Sequence, residues 1–188
     1  MTDVLIVGIG QTPVGEHWDI SLRELAFQAI EAAQADSGGI KPQALFVGNM
    51  LAPMISGQAH LGALIADFSG LRGIEAYTTE AAGASGGAAL RAGYLAVKSG
   101  FVDSALVVGV EKMTDRVGPE VDSAIATSLE SDYEAVKGET PVGQAALLMR
   151  RYLHIYDLQH EVFSSFALTA HANGAGNPNA MFRRAINL

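Results

Sequence analysis

The stretch Thr78-Thr-Glu-Ala-Ala-Gly-Ala-Ser-Gly-Gly-Ala-Ala-Leu-Arg-Ala-Gly-Tyr-Leu-Ala-Val-Lys-Ser-Gly100 decides the fold. A strand-like run, Glu75 to Thr79, leads into it. Small residues then turn the chain, and Ser85 is of the type that caps a helix N-terminus. Apolar residues follow at Ala88, Ala89, Leu90, Ala92, Leu95, Ala96 and Val97, which predicts a helix buried on nearly every side. Gly100 suits the position just past the helix end.

A buried helix whose first turn faces a cleft is a setting for chemistry. Its unpaired N–H groups and positive dipole end favour an anion. A cysteine placed there would have a lowered pKa and act as a nucleophile. The residue at that point is Gly83, so the setting is present without a reactive side chain.

Working outward, Val4 to Gly8 is a short apolar run typical of a strand covered on both faces. The preceding Met1-Thr-Asp lacks the basic region of a signal peptide, so the N-terminus reads as a first strand. Gly8-Ile-Gly10 lacks the third glycine of a dinucleotide-binding turn and is interrupted by Pro13. Ser21 and Glu24 form a capping box, and Leu22, Leu25, Ala26, Ala29, Ile30 and Ala33 share one helical face up to Gly38-Gly39. Ala44 to Gly48 and Ser104 to Val110 read as further strands. Strand, helix, strand at this spacing predicts parallel pairs joined by right-handed crossovers, and hence an α/β class.

Between these elements, Asn49 to Gly57 reads as a loop, with Met50 and Met54 either filling the core or lining a cleft at the carboxyl end of the sheet. Ala59 to Asp67 reads as a short helix. Thr114 to Thr140 is acidic and reads as a long loop, functional or mobile. Pro141 to Tyr156 and Gln159 to Asn173 read as helices, the second with a core face of Val162, Phe163, Phe166, Ala167 and Ala170.

Glu80-Ala-Ala-Gly-Ala-Ser-Gly-Gly87 resembles the nucleophile motif of thiolases, Glu-x-Ala-Cys-Ala-Ser-Gly, with Gly83 in the place of the cysteine. Other segments resemble the same family in the same order: Ile6 to Thr12 with Ser21 to Leu25, then Val108-Gly-Val-Glu-Lys-Met-Thr114, then His160 to Phe163 through His171 and Asn177-Pro178. The likeness is to the sterol-carrier-protein and archaeal type, and runs over the N-terminal half of the family. It implies a mixed, mostly parallel sheet with helices on both faces, over residues 1–188, with 114–158 as an inserted loop region. It also implies acyl transfer between coenzyme A thioesters, without a tightly bound cofactor, in the cytoplasm and in lipid metabolism. Dimerisation through Glu75 to Thr79 is implied too. A histidine and a second cysteine of the family's other half lie outside this chain, so acyl transfer is expected to be inactive in the chain alone. The catalytic candidates are therefore Gly83, by position, and Ser85.

Two other readings stand beside this one. The chain could be a non-catalytic or retro-aldol partner protein of the same fold. Alternatively, Gly83-Ala-Ser-Gly-Gly87 also matches the Gly-x-Ser-x-Gly elbow of serine hydrolases, with Ser85 as nucleophile. His154, His160 or His171 would then be the base, with Asp132 or Asp157 as the acid.

Composition narrows the field. Residues are 49% hydrophobic and 17% charged, which indicates a folded, core-rich chain. A net charge of −8 argues against a nucleic-acid partner. With Cys 0, disulfides and thiolate metal sites are excluded. His17, His60, His154, His160 and His171 show no ligand spacing, so no metal site is expected. Arg150-Arg151 reads as a solvated helix face, or as a contact to a cofactor's phosphates. No apolar run approaches a membrane span. The apolar central helix predicts a homodimer or larger assembly, with another copy, a C-terminal half or a partner subunit covering it.

Overall fold

The computed structural model describes residues 3–188; the part of the expected first strand on Met1 and Thr2 lies outside them. In chain order the regular elements are α1 (Leu22–Asp36), β1 (Ala44–Gly48), α2 (Ala52–Ile55), α3 (Leu61–Phe68), β2 (Glu75–Thr79), α4 (Ser85–Lys98), β3 (Ala105–Gly109), α5 (Pro119–Ala126), α6 (Pro141–Tyr156) and α7 (Ser164–Ala175). The chain divides into two compact units, Met1–Thr12 with His17–Val121, and Pro13–Glu16 with Asp122–Leu188.

The first unit is built on a three-stranded sheet in the order β2-β1-β3, with both pairings parallel. This is the α/β class that the strand, helix, strand spacing predicts. Side chains alternate across β1, as a strand's period of two requires. Leu45 and Val47 face one core with Leu25, Ala26 and Ile30 of α1 and Leu61 and Ile65 of α3. Ala44 and Phe46 face the other core with Ala89 of α4 and Val102. All five residues of β1 are buried, as befits the middle strand. Gly93 lets α4 approach closely: a Cβ there would lie 2.7 Å from Cγ2 of Val107.

The capping box at the start of α1 is formed as predicted. Ser21 N donates to Oε2 of Glu24 at 2.7 Å, and Glu24 N donates to Oγ of Ser21 at 3.3 Å. The helix closes at Ser37, and Gly38 and Gly39 follow with positive φ.

Several expectations need correction. Val4–Gly8 forms no strand and is not buried: Leu5 and Ile6 are 75% and 77% exposed. The sheet order leaves it out, and it lies instead along α1, where Ile9 N donates to Oδ2 of Asp36 at 2.9 Å. Secondly, α4 is not buried all round. One sheet layer covers one face, leaving Leu90, Tyr94 and Leu95 at 52%, 47% and 45% exposure.

Thirdly, Thr114 to Thr140 is not one long loop. Short 3-10 turns at Met113–Asp115 and Ala135–Lys137 flank α5. Finally, Gln159 to Asn173 is a 3-10 turn, His160–Phe163, leading into α7. Its expected core face is largely open, with Phe166 at 71% exposure. Within the second unit, Tyr152 packs on Tyr156 and Phe163 with ring centroids 4.6 and 6.0 Å apart. Phe182 to Leu188 has no regular structure.

Candidate functional site at the carboxyl edge of the sheet

The register brings Gly48, Thr79 and Gly109 to one edge, the carboxyl ends of all three strands. Open parallel sheets place ligands outside this edge. Here α4 begins directly over β1. A Cβ on Gly48 would lie 2.6 Å from Ser85 O and 2.7 Å from Gly86 Cα, so only a glycine permits the approach.

Between β2 and α4 the chain makes a single 3-10 turn, Ala82–Ala84, with Gly83 at its middle. Ala82 has a positive φ of 47°, a conformation that an alanine holds only when its surroundings impose it. Three local bonds do so. The Glu80 carboxylate accepts from Ala82 N. The Ser85 hydroxyl donates to Ala82 O at 2.7 Å while accepting from Ala81 N at 2.9 Å. Ser85 is therefore not the N-cap, which is Ala84; it is the first residue of α4, buried, and its side chain reaches back over the turn.

Gly83 is exposed, its φ is not in the left-handed region, and a Cβ built on it meets nothing within 4 Å. Neither backbone strain nor crowding demands a glycine at this position. A side chain placed there would stand in open space beside the first turn of a 14-residue helix, whose N–H groups lack intrahelical partners.

Residues that sequence reasoning left without a role build the rest of this edge. Asn49, directly after β1, is 4% exposed. Its backbone N–H donates to Thr79 O at 3.2 Å, and its Nδ2 donates to Val110 O at 2.8 Å and to Oε1 of Glu111 at 2.9 Å. Its Oδ1 accepts from Ala52 N at 3.0 Å. The other Glu111 oxygen accepts from Met50 N at 3.1 Å and Leu51 N at 3.0 Å.

Further along, buried Lys112 pairs with Asp115, whose second oxygen accepts from Ser56 Oγ at 3.2 Å. Arg116 Nε donates to Ile55 O at 3.0 Å. The segment 111–116 thus grips residues 49–57 at both ends, and these are not the expected loop but carry the short helix α2. The available signal was a polar residue immediately after an apolar strand, Gly48-Asn49 and Val110-Glu111. In that segment Met50 is half-buried, Met54 is 52% exposed and Ile55 is buried.

The other candidates divide between the two units. His17 and His60 belong to the first unit, and His154, His160 and His171 to the second. His171 Nδ1 lies 3.1 Å from Arg184 O. Arg150 and Arg151 are exposed on α6 in the second unit. Among the described residues, no group of three His, Asp or Glu could hold a metal ion, and no helix is long and apolar enough to cross a membrane.

A parallel-sheet domain that opens its central helix on a nucleophile-type turn at the carboxyl edge defines the class. The chain belongs to the thiolase family: residues 4–187 match Thiolase, N-terminal domain. It is 41% identical over 184 residues to an acetyl-CoA acetyltransferase of Methanothermobacter thermautotrophicus, covering 97% of this chain and 48% of that protein. It is 41% identical over 192 residues to an acetyl-CoA acetyltransferase of Methanocaldococcus jannaschii, again covering 48% of that protein. Among solved structures it resembles an Ltp2-ChsH2(DUF35) aldolase with a TM-score of 0.71 and 26% identity, over 97% of this chain and 46% of that one. The chain thus spans about half the length of the relatives it matches.

Proposed function

We propose that this chain is the N-terminal half of a thiolase-type enzyme acting on coenzyme A thioesters, and that Gly83 occupies its nucleophile position without carrying the acyl group. The carrying observation is the turn at Gly83: it is exposed, open on the side-chain side, and set at the start of α4. The archaeal relatives named acetyl-CoA acetyltransferase support the substrate class. In this reading 114–158 is the family's inserted loop region, the protein works in the cytoplasm in lipid metabolism, and α4 is covered by a second copy or by the other half.

A second reading follows from the missing side chain itself. A glycine cannot form an acyl-enzyme, so the domain would serve carbon–carbon cleavage that needs no acyl carrier, or would support a partner subunit. The likeness to the aldolase favours this alternative. Hydrolysis through Ser85 is weaker, because its hydroxyl is buried and donates its proton to Ala82 O.

Two measurements test the proposal. Incubated with acetoacetyl-CoA and coenzyme A, the chain should give no thiolysis above background, and a fluorophosphonate should not label Ser85. The variant Gly83→Cys, carrying the chain's sole thiol, should alkylate faster at neutral pH than a cysteine in an unstructured peptide. Equal rates would remove the argument that this position is built for a nucleophile.

A further inference from the structure

Every hydrogen-bonding atom of the Asn49 side chain has a partner. Its NH2 group donates to Val110 O and Glu111 Oε1, and its oxygen accepts from Ala52 N. Rotating the amide by a half turn would set like groups against each other at all three contacts, so its orientation is determined. Its backbone N–H meanwhile holds Thr79 O, the last residue of β2 before the turn that carries Gly83. One residue therefore ties together the ends of β1 and β2 and the residue that follows β3. Glu111 locks that residue in place with three bonds to consecutive residues, Asn49, Met50 and Leu51.

We propose that the Asn49–Glu111 pair positions residue 83 relative to the sheet, with Glu111 acting through Asn49 and Thr79 rather than by touching a substrate. The turn is stitched internally by Ser85 and bears on Gly48 at its exit. Its entrance is held by the Asn49 to Thr79 bond. Loosening Asn49 frees the entrance and lets residue 83 drift from the axis of α4. This inference rests on the reading of position 83 as the nucleophile position, and the test separates the two.

The probe is the thiol of Gly83→Cys, unique in this chain. Iodoacetamide alkylation is followed against pH in three proteins: Gly83→Cys alone, and the same chain with Glu111→Gln or Glu111→Asp added. In Glu111→Gln an NH2 group faces either the Asn49 amide or the Met50 and Leu51 N–H groups. In Glu111→Asp the charge is kept and the reach is shortened by one methylene. Both second-site variants should slow alkylation at pH 7 by about three- to tenfold, as the thiolate fraction falls with the helix end no longer aimed at it.

The direction discriminates. Were Glu111 to act on position 83 only through its charge, Glu111→Gln would favour the thiolate and speed alkylation, and Glu111→Asp would change nothing. Amide exchange at Met50 and Leu51 should accelerate in both variants while the thermal midpoint confirms folding. If Glu111→Gln does not fold, Glu111→Asp decides. An activated thiol left unchanged in the folded variants overturns the positioning role alone. An ordinary thiol in Gly83→Cys overturns the reading of position 83, and the positioning role falls with it.

Discussion

Asn49 and Glu111, 62 residues apart in sequence, meet at 2.9 Å at the carboxyl edge of the sheet, where Asn49 Nδ2 donates to Oε1 of Glu111. The contact is partly buried, and the carboxylate is held by two backbone N–H groups besides. Replacing Asn49 by alanine strands Val110 O and Ala52 N and removes one donor from a charged group. We expect Asn49→Ala to destabilise the fold by about 2–3 kcal/mol, since buried groups deprived of partners cost more than the bond itself contributes. Urea unfolding monitored by circular dichroism measures it; a loss below half a kilocalorie, roughly the scale of a surface substitution, would contradict the account of this junction.

Two glycines of the same edge should respond in opposite ways to one added methyl. At Gly83 nothing lies within 4 Å of the new Cβ and φ is ordinary. Gly83→Ala should therefore be neutral, or stabilising by up to about 1 kcal/mol through the unfolded chain. At Gly48 the Cβ would strike Ser85 O at 2.6 Å, a backbone atom that cannot step aside without moving α4. Gly48→Ala should cost about 3 kcal/mol or more, at the upper end for overpacking. Thermal unfolding of the two variants side by side decides this, and equal midpoints would refute it.

The capping box of α1 makes a pH-dependent contribution. Hydrogen bonds from Ser21, first from its hydroxyl and then from its backbone N–H, hold Glu24 below its ordinary value of 4.5. A folded-state pKa below the unfolded one means that the stabilisation is present above the unfolded value. It is lost as pH falls through the folded one. The difference in urea midpoint between the parent chain and Glu24→Gln should therefore be largest at neutral pH and should shrink once the pH drops below that ordinary value. A difference that is constant from pH 7 to pH 3 would show that the carboxylate charge plays no part.

Assembly is the fourth expectation. The face of α4 away from the sheet carries Leu90, Tyr94 and Leu95 in the open, and β2, an outer strand, exposes Tyr77. In the second unit Leu147, Leu148 and Ile155 of α6 are exposed as well. Soluble monomers seldom leave such apolar surface uncovered, and an unpaired strand edge invites another strand. Light scattering at low micromolar concentration should report a dimer or larger species. A clean monomer that binds no hydrophobic dye would refute this.

How far the sequence reaches can be traced residue by residue. β1, β2 and α6 fold over the same residues that the pattern predicts, Ala44–Gly48, Glu75–Thr79 and Pro141–Tyr156. In these segments a short strand-like run, or a proline in the first helical turn, acts through neighbours a few residues away. The order of the motifs likewise points to the thiolase family. The tertiary structure alone decided three matters. Val4–Gly8 has the composition of a buried strand and is none, because a strand exists only with a neighbour's backbone to bond. Ser85 has the chemistry of an N-cap, yet its hydroxyl turns back to Ala81 and Ala82, because Ser85 already has the helical backbone angles of the first turn, φ −56° and ψ −40°. Asn49 and Glu111 carry no local mark of their partnership, because their contact exists only once β1 and β3 pair in register and bring Gly48 and Gly109 side by side.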